Sequence, residues 1–246
     1  RPSCEDDVSR TRMVRDNDGR EQHRKGAGSL KEFIDGLKLR VEIGAPTPDQ
    51  ITRISQLTFR TNQFNFTTIR RNEEQIRQFL ARNDAGCLAV RVSDRFGDYG
   101  LVGTVLYLAL PDRLLVDTFL LSCRVLGRGV EHAVLAGLAG RALSQGKQYV
   151  ELTYRPSERN APAREFIARV SAGDDDQGSR VLAAANLAGL RYDPDAAATL
   201  GIAPSSREPS EQRAGNRAQA HVAARALERI AENLRTADAI ARAIEG

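Results

Sequence analysis

The sequence predicts an α/β fold: a mixed sheet with flanking helices, followed by a C-terminal amphipathic helix. Three observations carry this expectation. From residue 86 the hydrophobic period changes from helical to strand-like, giving three closely spaced strands. A strand–helix–strand succession follows up to about residue 153, and joining parallel strands requires such a crossover. The last stretch, about 218–244, is Ala- and Arg-rich with Leu227, Ile230, Leu234 and Ile240 on one side.

Along the chain, residues 1–28 are nearly all polar and read as a solvated helix or a broken edge. Ser29 and Glu32 form a Ser-x-x-Glu capping box, and apolar residues at 30, 33, 34 and 37 continue it at helical spacing. Residues 39–43 (LRVEI) alternate like a strand. Residues 44–48 (GAPTP) break the chain, and Thr47 or Asp49 is placed to cap a helix with Ile51, Ile54 and Leu57 on its apolar face. Residues 87–92, 101–110 and 114–121 are the three strands of an antiparallel meander, joined by residues 96–100 (FGDYG) and 111–113 (PDR). A helix over about 130–144, a buried strand over 149–153 and a shorter helix over about 162–170 follow. Residues 180–188 read either as a last strand leading into a helix or as helix throughout, and 203–217 have linker composition.

Composition narrows the function classes. No stretch approaches the roughly 18 uncharged apolar residues of a membrane span, and the polar first twenty residues carry no signal-peptide core, so a soluble chain is expected. Cys4, Cys87 and Cys123 are too few and too scattered for a disulfide framework and suit a reducing, cytoplasmic setting. Charge concentrates in the middle, where 17 basic residues face 12 acidic ones over 46–170, a net +5. A basic centre attracts phosphates, a CoA-type ligand or an acidic carrier protein. No Lys/Arg run with interleaved aromatics points to nucleic acid.

The sharpest motif is Arg124-Val-Leu-Gly127-Arg128-Gly129, between a strand and a long helix. Two glycines allow a tight turn and close backbone approach, and the first free N–H groups of the helix make an anion cradle beside Arg124 and Arg128. Arg-x-x-Gly-x-Gly at such a turn resembles the pyrophosphate-binding motif of GNAT acyltransferases. A longer resemblance lies in four ordered blocks: residues 61–68 (TNQFNFTT), 94–103 (DRFGDYGLVG), 122–131 (SCRVLGRGVE) and 154–166 (YRPSERNAPAREF). Over about residues 3–170 the chain resembles the FkbH-like family, in which a HAD-type half is coupled to a GNAT-like half. Those proteins load a glyceryl unit from 1,3-bisphosphoglycerate onto acyl carrier proteins in polyketide and related pathways. With the resemblance, the expected division is 1–45 (polar tail of a HAD-type domain) and 46–202 (GNAT-like domain), followed by the linker (203–217) and C-terminal helix (218–246) read from composition and periodicity. No Asp-x-Asp-x-Thr/Val nucleophile loop occurs in the chain, so the phosphoryl chemistry would belong to a HAD-type partner.

From the residues and the resemblance together, Arg124, Gly127, Arg128 and Gly129 are expected to hold CoA or the phosphopantetheine arm of an acyl carrier protein, with no metal. Cys123 is a candidate acyl acceptor beside that loop, or a small packed strand residue. His132, Asp117 and Tyr154 are candidate proton-transfer groups, with Glu131 and Glu151 as further carboxylates. Asn62, Gln63, Asn65 and Asn160 are candidate substrate contacts. Three functions stay open: acyl transfer by thiol attack on a thioester, with the oxyanion held by β-strand N–H groups; a non-catalytic module that docks the carrier arm; and an ordinary amine acetyltransferase.

Overall fold

Alternation within each strand sorts the side chains onto two faces of one sheet. In β2 (Ala85–Asp94), Leu88, Val90 and Val92 pack on one face and Cys87 and Ala89 on the other. β3 (Gly97–Ala109) and β4 (Arg113–Leu121) continue both faces, with Val102, Val105, Val116, Phe119 and Leu121 on the first and Leu101, Leu106 and Leu120 on the second. The computed structural model describes residues 4–171 and 178–195. The expected linker (203–217) and C-terminal helix (218–246) lie outside the described residues.

The six-stranded sheet has the order β1–β2–β3–β4–β5–β6, where β1 is Arg40–Gly44, β5 is Tyr149–Tyr154 and β6 is Gly178–Ala183. All neighbours are antiparallel except β4 and β5, which are parallel because α5 (Val130–Ser144) crosses between them. α5 and α6 (Ala161–Ser171) bury Val134, Leu135, Leu138, Phe166 and Ile167 against the first face. α3 (Gln50–Arg60) and α4 (Glu73–Leu80) bury Ile51, Ile54, Leu57 and Ile76 against the second. This is a mixed α/β fold with helices on both faces of the sheet.

The N-terminal elements belong to the same body. α1 (Cys4–Gly26) and α2 (Leu30–Leu37) precede β1, which pairs with β2 from Arg40 to Gly44. The expected boundary at residue 45 is therefore corrected, because it would cut the first strand from its own sheet. Residues 1–28 are expected as a solvated helix or a broken edge, yet Arg20 is buried: its Nε donates to Asp94 Oδ2 at 2.7 Å and its Nη2 to Asp94 Oδ1 at 3.0 Å. Ser29 accepts from the Glu32 N–H at 3.1 Å as expected, while the Glu32 carboxylate accepts from the Gly28 N–H rather than closing on Ser29. Neither Thr47 nor Asp49 caps α3 with its side chain; Gln50 Oε1 instead accepts from the Thr47 N–H. Residues 178–188 take the strand-then-helix alternative, with α7 (Ala184–Ala188) directly after β6.

The β4–β5 pair positions everything that follows. Its register runs from Arg113 opposite Tyr149 to Val116 opposite Leu152 and stops there, although β4 continues to Leu121. The connector between α3 and α4 fills the opening. Phe66 N–H donates to Phe119 O and Leu121 N–H to Phe64 O, both at 3.0 Å, while Arg155 N–H donates to Phe66 O at 2.8 Å. Phe64 and Phe66 pack edge and tilt against Phe119 and Phe166 at centroid distances of 4.9–6.4 Å. Each fully buried ring is worth about 1.5–3 kcal/mol relative to exposure.

Asn160 locks the connector in place. Its Nδ2 donates to Asn65 O at 3.0 Å and Arg155 O at 2.9 Å; its Oδ1 accepts from Tyr154 Oη at 3.1 Å and Ser157 N–H at 2.8 Å. Replacing Asn160 by Ala leaves several buried polar groups without partners and is expected to cost about 3 kcal/mol, against about 1 kcal/mol for Tyr154→Phe. Urea denaturation of the two variants checks this; equal losses would contradict the central role of the amide.

Candidate functional site

β4 ends where Ser122 N–H donates to Val102 O at 2.7 Å, and a single 3₁₀ turn, Cys123–Val125, redirects the chain. Gly127 and Gly129 then adopt φ of +69° and +83°, a left-handed region that favours glycine, and Gly129 is the N-cap of α5. Because Gly129 has no side chain to accept from the first turn, the opening N–H groups of this helix depend on other partners.

Two arginines flank the turn. Arg128 Nη1 donates to Tyr99 Oη, and its guanidinium lies 5.5 Å from the Tyr99 ring centroid. Tyr99 donates to Asp94 Oδ2 at 2.7 Å, so the Arg20–Asp94–Tyr99–Arg128 chain ties α1 to the turn. Burial pushes the Tyr99 hydroxyl up to about 12, which keeps it protonated and donating. Arg124 is held below the usual arginine range by burial and by the neighbouring Arg53 guanidinium on α3. The Nε atoms of Arg124 and Arg128 are both buried and have no hydrogen-bond partner.

The underside of the turn is closed by the protein's own groups. Tyr192 Oη donates to Gly127 O at 3.0 Å, and its ring lies over Gly129, where an added Cβ would come within 2.7 Å of Tyr192 Cβ. Glu131, in the first turn of α5, is only 7% exposed. Burial pushes its carboxyl up to about 7, against the opposing pull of the backbone N–H groups of Glu131 and Gly127. Beside it, His132 packs edge-on against Phe166 at 5.1 Å and against Tyr192 at 5.1 Å. Burial, aided by Arg169, lowers its imidazole to about 4. The two face each other at 3.8 Å, Nδ1 to Oε1, with His132 neutral near pH 7.

The structure brings together Cys123, Arg124, Gly127, Arg128, Gly129 and His132 around the start of α5. Cys123 is half-buried at the head of the 3₁₀ turn and packs against the core. The other predicted residues lie apart from this group. Asp117 is ion-paired to Arg71 at 2.8 Å and accepts from Thr118 Oγ1 at 2.8 Å. Tyr154 is buried on Asn160. Asn65 and Asn160 were expected to touch substrate, but both are fully buried and spend their amides on the connector. Asn65 Nδ2 donates to Thr61 O at 3.1 Å, while its Oδ1 accepts from Thr68 N–H at 2.8 Å and holds Thr68 at a φ of +54°. Asn62 accepts from Arg70, and Gln63 is half-buried on the same connector. The β4 N–H groups expected to hold an oxyanion are likewise taken: Leu121 donates to Phe64 O and Ser122 to Val102 O. Tyr99, Arg53 and Tyr192 were not singled out in the sequence, since each acts through a contact remote in the chain.

Among the described residues, no helix is long and apolar enough to cross a membrane, and no group of three or more His, Cys, Asp or Glu side chains is arranged to hold a metal ion.

No protein-family model matches the chain, and no curated protein matches it. Among solved structures, it is similar to the ribosomal-protein-alanine N-acetyltransferase of Escherichia coli, at 11% identity and a TM-score of 0.42, covering 53% of this chain and 76% of that one. It is also similar to a GNAT-family acetyltransferase of Staphylococcus aureus (10% identity, TM-score 0.41, 54% and 84% covered). A spermidine N-acetyltransferase variant from Vibrio cholerae is similar over 61% of this chain and 96% of its own, at 11% identity and a TM-score of 0.43.

Two measurements test this arrangement. Gly129→Ala combines a left-handed φ with the Tyr192 contact and should cost about 1–3 kcal/mol in thermal or urea unfolding. The Glu131–His132 pair gives a pH signature. Glu131 keeps its proton to higher pH in the folded state, so its contribution is full below about 4.5 and is lost as pH rises through about 7. His132 resists protonation when folded, so its contribution is full above 6.5 and is lost as pH falls through about 4. The two slopes oppose each other in the parent protein. Glu131→Gln should leave stability rising with pH between about 4 and 6.5, and His132→Gln should leave it falling between about 4.5 and 7. Either change amounts to no more than about 3 kcal/mol. Superimposable pH profiles for all three proteins would contradict the assignment.

Proposed function

We propose that this chain is a GNAT-like domain of the FkbH-like type. It holds a phosphopantetheine thioester, on CoA or on an acyl carrier protein, at the turn between β4 and α5, and it takes part in loading a glyceryl unit onto that carrier protein. The observation that carries this reading is the turn itself. Two left-handed glycines open onto the start of a 15-residue helix, and Arg124 and Arg128 beside them have no carboxylate partner among the described residues. Helix-start N–H groups without a side-chain cap from Gly129, and guanidinium charge with no carboxylate beside it, suit a phosphate or diphosphate. The order of strands and crossover around it, with a single parallel pair, supports the same reading.

The chemistry assigned to this site is acyl transfer between thiols. Cys123 Sγ attacks the carbonyl of a glyceryl donor, the donor's leaving group departs, and a Cys123 thioester forms. The pantetheine thiolate then attacks that thioester and releases Cys123 as a thiolate. Activation of the glyceryl unit from 1,3-bisphosphoglycerate is left to a HAD-type partner, since this chain has no Asp-x-Asp-x-Thr/Val loop.

A specific observation favours a second reading, a module that docks the carrier arm without reacting. The connector segment 64–66 occupies the opening between β4 and β5, and the backbone groups there that would face a thioester already bond to it. Asp117 and Tyr154 are engaged by Arg71 and Asn160.

The two readings separate on Cys123. The full chain is titrated with CoA and with phosphopantetheinylated carrier protein in a thermal-shift assay, alongside Arg124→Gln/Arg128→Gln and Cys123→Ala. A ligand at about 100 times its dissociation constant adds roughly 2.7 kcal/mol of stability. That shift should appear in the parent and in Cys123→Ala and vanish in the double arginine variant. Loss of glyceryl transfer in Cys123→Ala with binding intact supports the transfer reading, and unchanged transfer supports docking. Acetylation of an amine from acetyl-CoA would instead indicate an ordinary amine acetyltransferase.

A further inference from the structure

Of the described side chains of α1, only Arg20 is buried, so the helix brings little apolar area to the sheet and its docking stands largely on polar contacts. The approach is close: an added Cβ on Gly19 would come within 2.8 Å of the Phe96 ring, and Gly97 meets the Asp16 carboxylate. His23 adds ring contacts to Phe33 and Phe96. Arg20 crosses to the hairpin of β2 and β3, with Asn17 Oδ1 accepting from its Nη1 at 2.9 Å. The fully buried Asp94 side chain accepts from two Arg20 nitrogens, from the N–H groups of Phe96 and Gly97 at 2.9 and 3.0 Å, and from the Tyr99 hydroxyl. A hydroxyl has one proton to give. Tyr99 gives it to Asp94, so its oxygen offers only lone pairs to Arg128, which donates from Nη1. Both guanidinium groups also approach the Tyr99 ring, Arg20 at 4.1 Å and Arg128 at 5.5 Å from its centroid. Arg20 meets the Asp94 charge, and Arg128 meets a neutral oxygen. Arg128 is therefore held in place without being neutralised.

We propose that Arg20, Asp94 and Tyr99 are positioning residues for Arg128, so that the turn between β4 and α5 is set for its ligand only while α1 is docked on the hairpin of β2 and β3. This rests on the reading of the turn as a thioester site and adds the control of that site. An arginine side chain is long and rich in rotamers, and ordering it ahead of binding lowers the cost that the ligand must offset. Tyr99 supplies that order. When α1 leaves, Asp94 loses the charge opposite it. The buried carboxylate then draws Arg128, the guanidinium already joined to it through the Tyr99 oxygen, and the turn loses its charge to an internal ion pair. Because α1 is held by one buried ion pair and not by a packed apolar face, its release is a local event that leaves the sheet intact.

The test is calorimetric titration of CoA into the full chain and into Tyr99→Phe, Arg20→Gln and Arg128→Gln, alone and combined. Tyr99→Phe keeps the ring and removes only the hydroxyl. It and Arg20→Gln should each weaken CoA binding about tenfold. Neither should weaken it further in the Arg128→Gln background, where no guanidinium is left to position. A merely structural loss would persist in that background and would lower the stoichiometry of binding, not its affinity. Arginine side-chain NMR of the ligand-free proteins gives a second readout: the Arg128 guanidinium signals should be distinct in the parent, averaged by rotation in Tyr99→Phe and moved in Arg20→Gln. If Arg20→Gln does not fold, Arg20→Lys, with a single ammonium in place of the fork, is read the same way. Unchanged CoA affinity in Tyr99→Phe or in the Arg20 variant, or equal losses with and without Arg128, refutes the coupling while the reading of the turn stands. If the parent does not bind CoA, or Arg128→Gln binds it as the parent does, the reading of the turn falls and the proposal with it.

Discussion

The parallel pairing of β4 with β5 is short, and the rest of the site depends on how its end is completed. Past Val116 the two strands part, and the outer edge of β4 would carry unpaired N–H and C=O groups into the interior. The chain answers with residues 64–66, which bond to β4 on one side and to Arg155 on the other. That solution needs a fixed connector, and Asn160 supplies the fixing by linking the end of β5, the start of α6 and the Asn65 carbonyl through one amide. The aromatic cluster of Phe64, Phe66, Phe119 and Phe166 then packs on a backbone already held in register.

The same strand carries the glycine turn at its end, so connector and turn share a foundation in β4. Their polarities differ. At the connector the Asn65 and Asn160 side-chain amides are satisfied internally and the surroundings are aromatic. At the turn, the groups without internal partners are cationic or lie buried beneath it: Arg124 Nε, Arg128 Nε, Glu131 Oε2 and His132 Nδ1. A buried carboxyl pushed up to about 7 and an imidazole that stays neutral put less than a full countercharge under the arginines near pH 7. Their positive charge is therefore left for whatever meets the turn from outside.

Much of this was legible in the sequence. The meander, the crossover and the long helix follow from periods of two and 3.6 over segments with few interruptions, and the strand ends fell within a few residues of expectation. The turn was visible because two glycines flanking an arginine between strand and helix have few other uses. What escaped were relations between distant positions. Asn65 and Asn160 looked like substrate contacts because polar residues beside aromatics suggest a binding surface; nothing local reveals that the Asn160 amide, 95 positions along, donates to the Asn65 carbonyl. The α4 helix, with an Asn72–Gln75 capping box, was missed because only Ile76 of its residues is buried, leaving the apolar period short. α1 read as a solvated helix or a broken edge because Arg20, which it buries, is a charged residue.

Charge shows how far composition can and cannot go. The net +5 of the central residues marks the middle of the chain as basic, and part of that basicity is paired locally. Arg71, Arg77, Arg82, Arg91 and Arg113 all sit against carboxylates, several of them near neighbours in sequence or across a strand pair. Exposed pairs of this kind are worth about 0–1 kcal/mol each and do little to hold the fold. Their larger effect is to remove competing positive charge from the rest of the surface. The half-buried guanidinium groups of Arg53, Arg124 and Arg128 have no such carboxylate among the described residues. Arginine rather than lysine matters at such a place. A guanidinium stays charged when partly desolvated and keeps its donors in a fixed plane, whereas an ammonium under the same burial tends to give up its proton. The field at the turn is therefore set by three side chains that cannot neutralise themselves and have no internal carboxylate to do it for them.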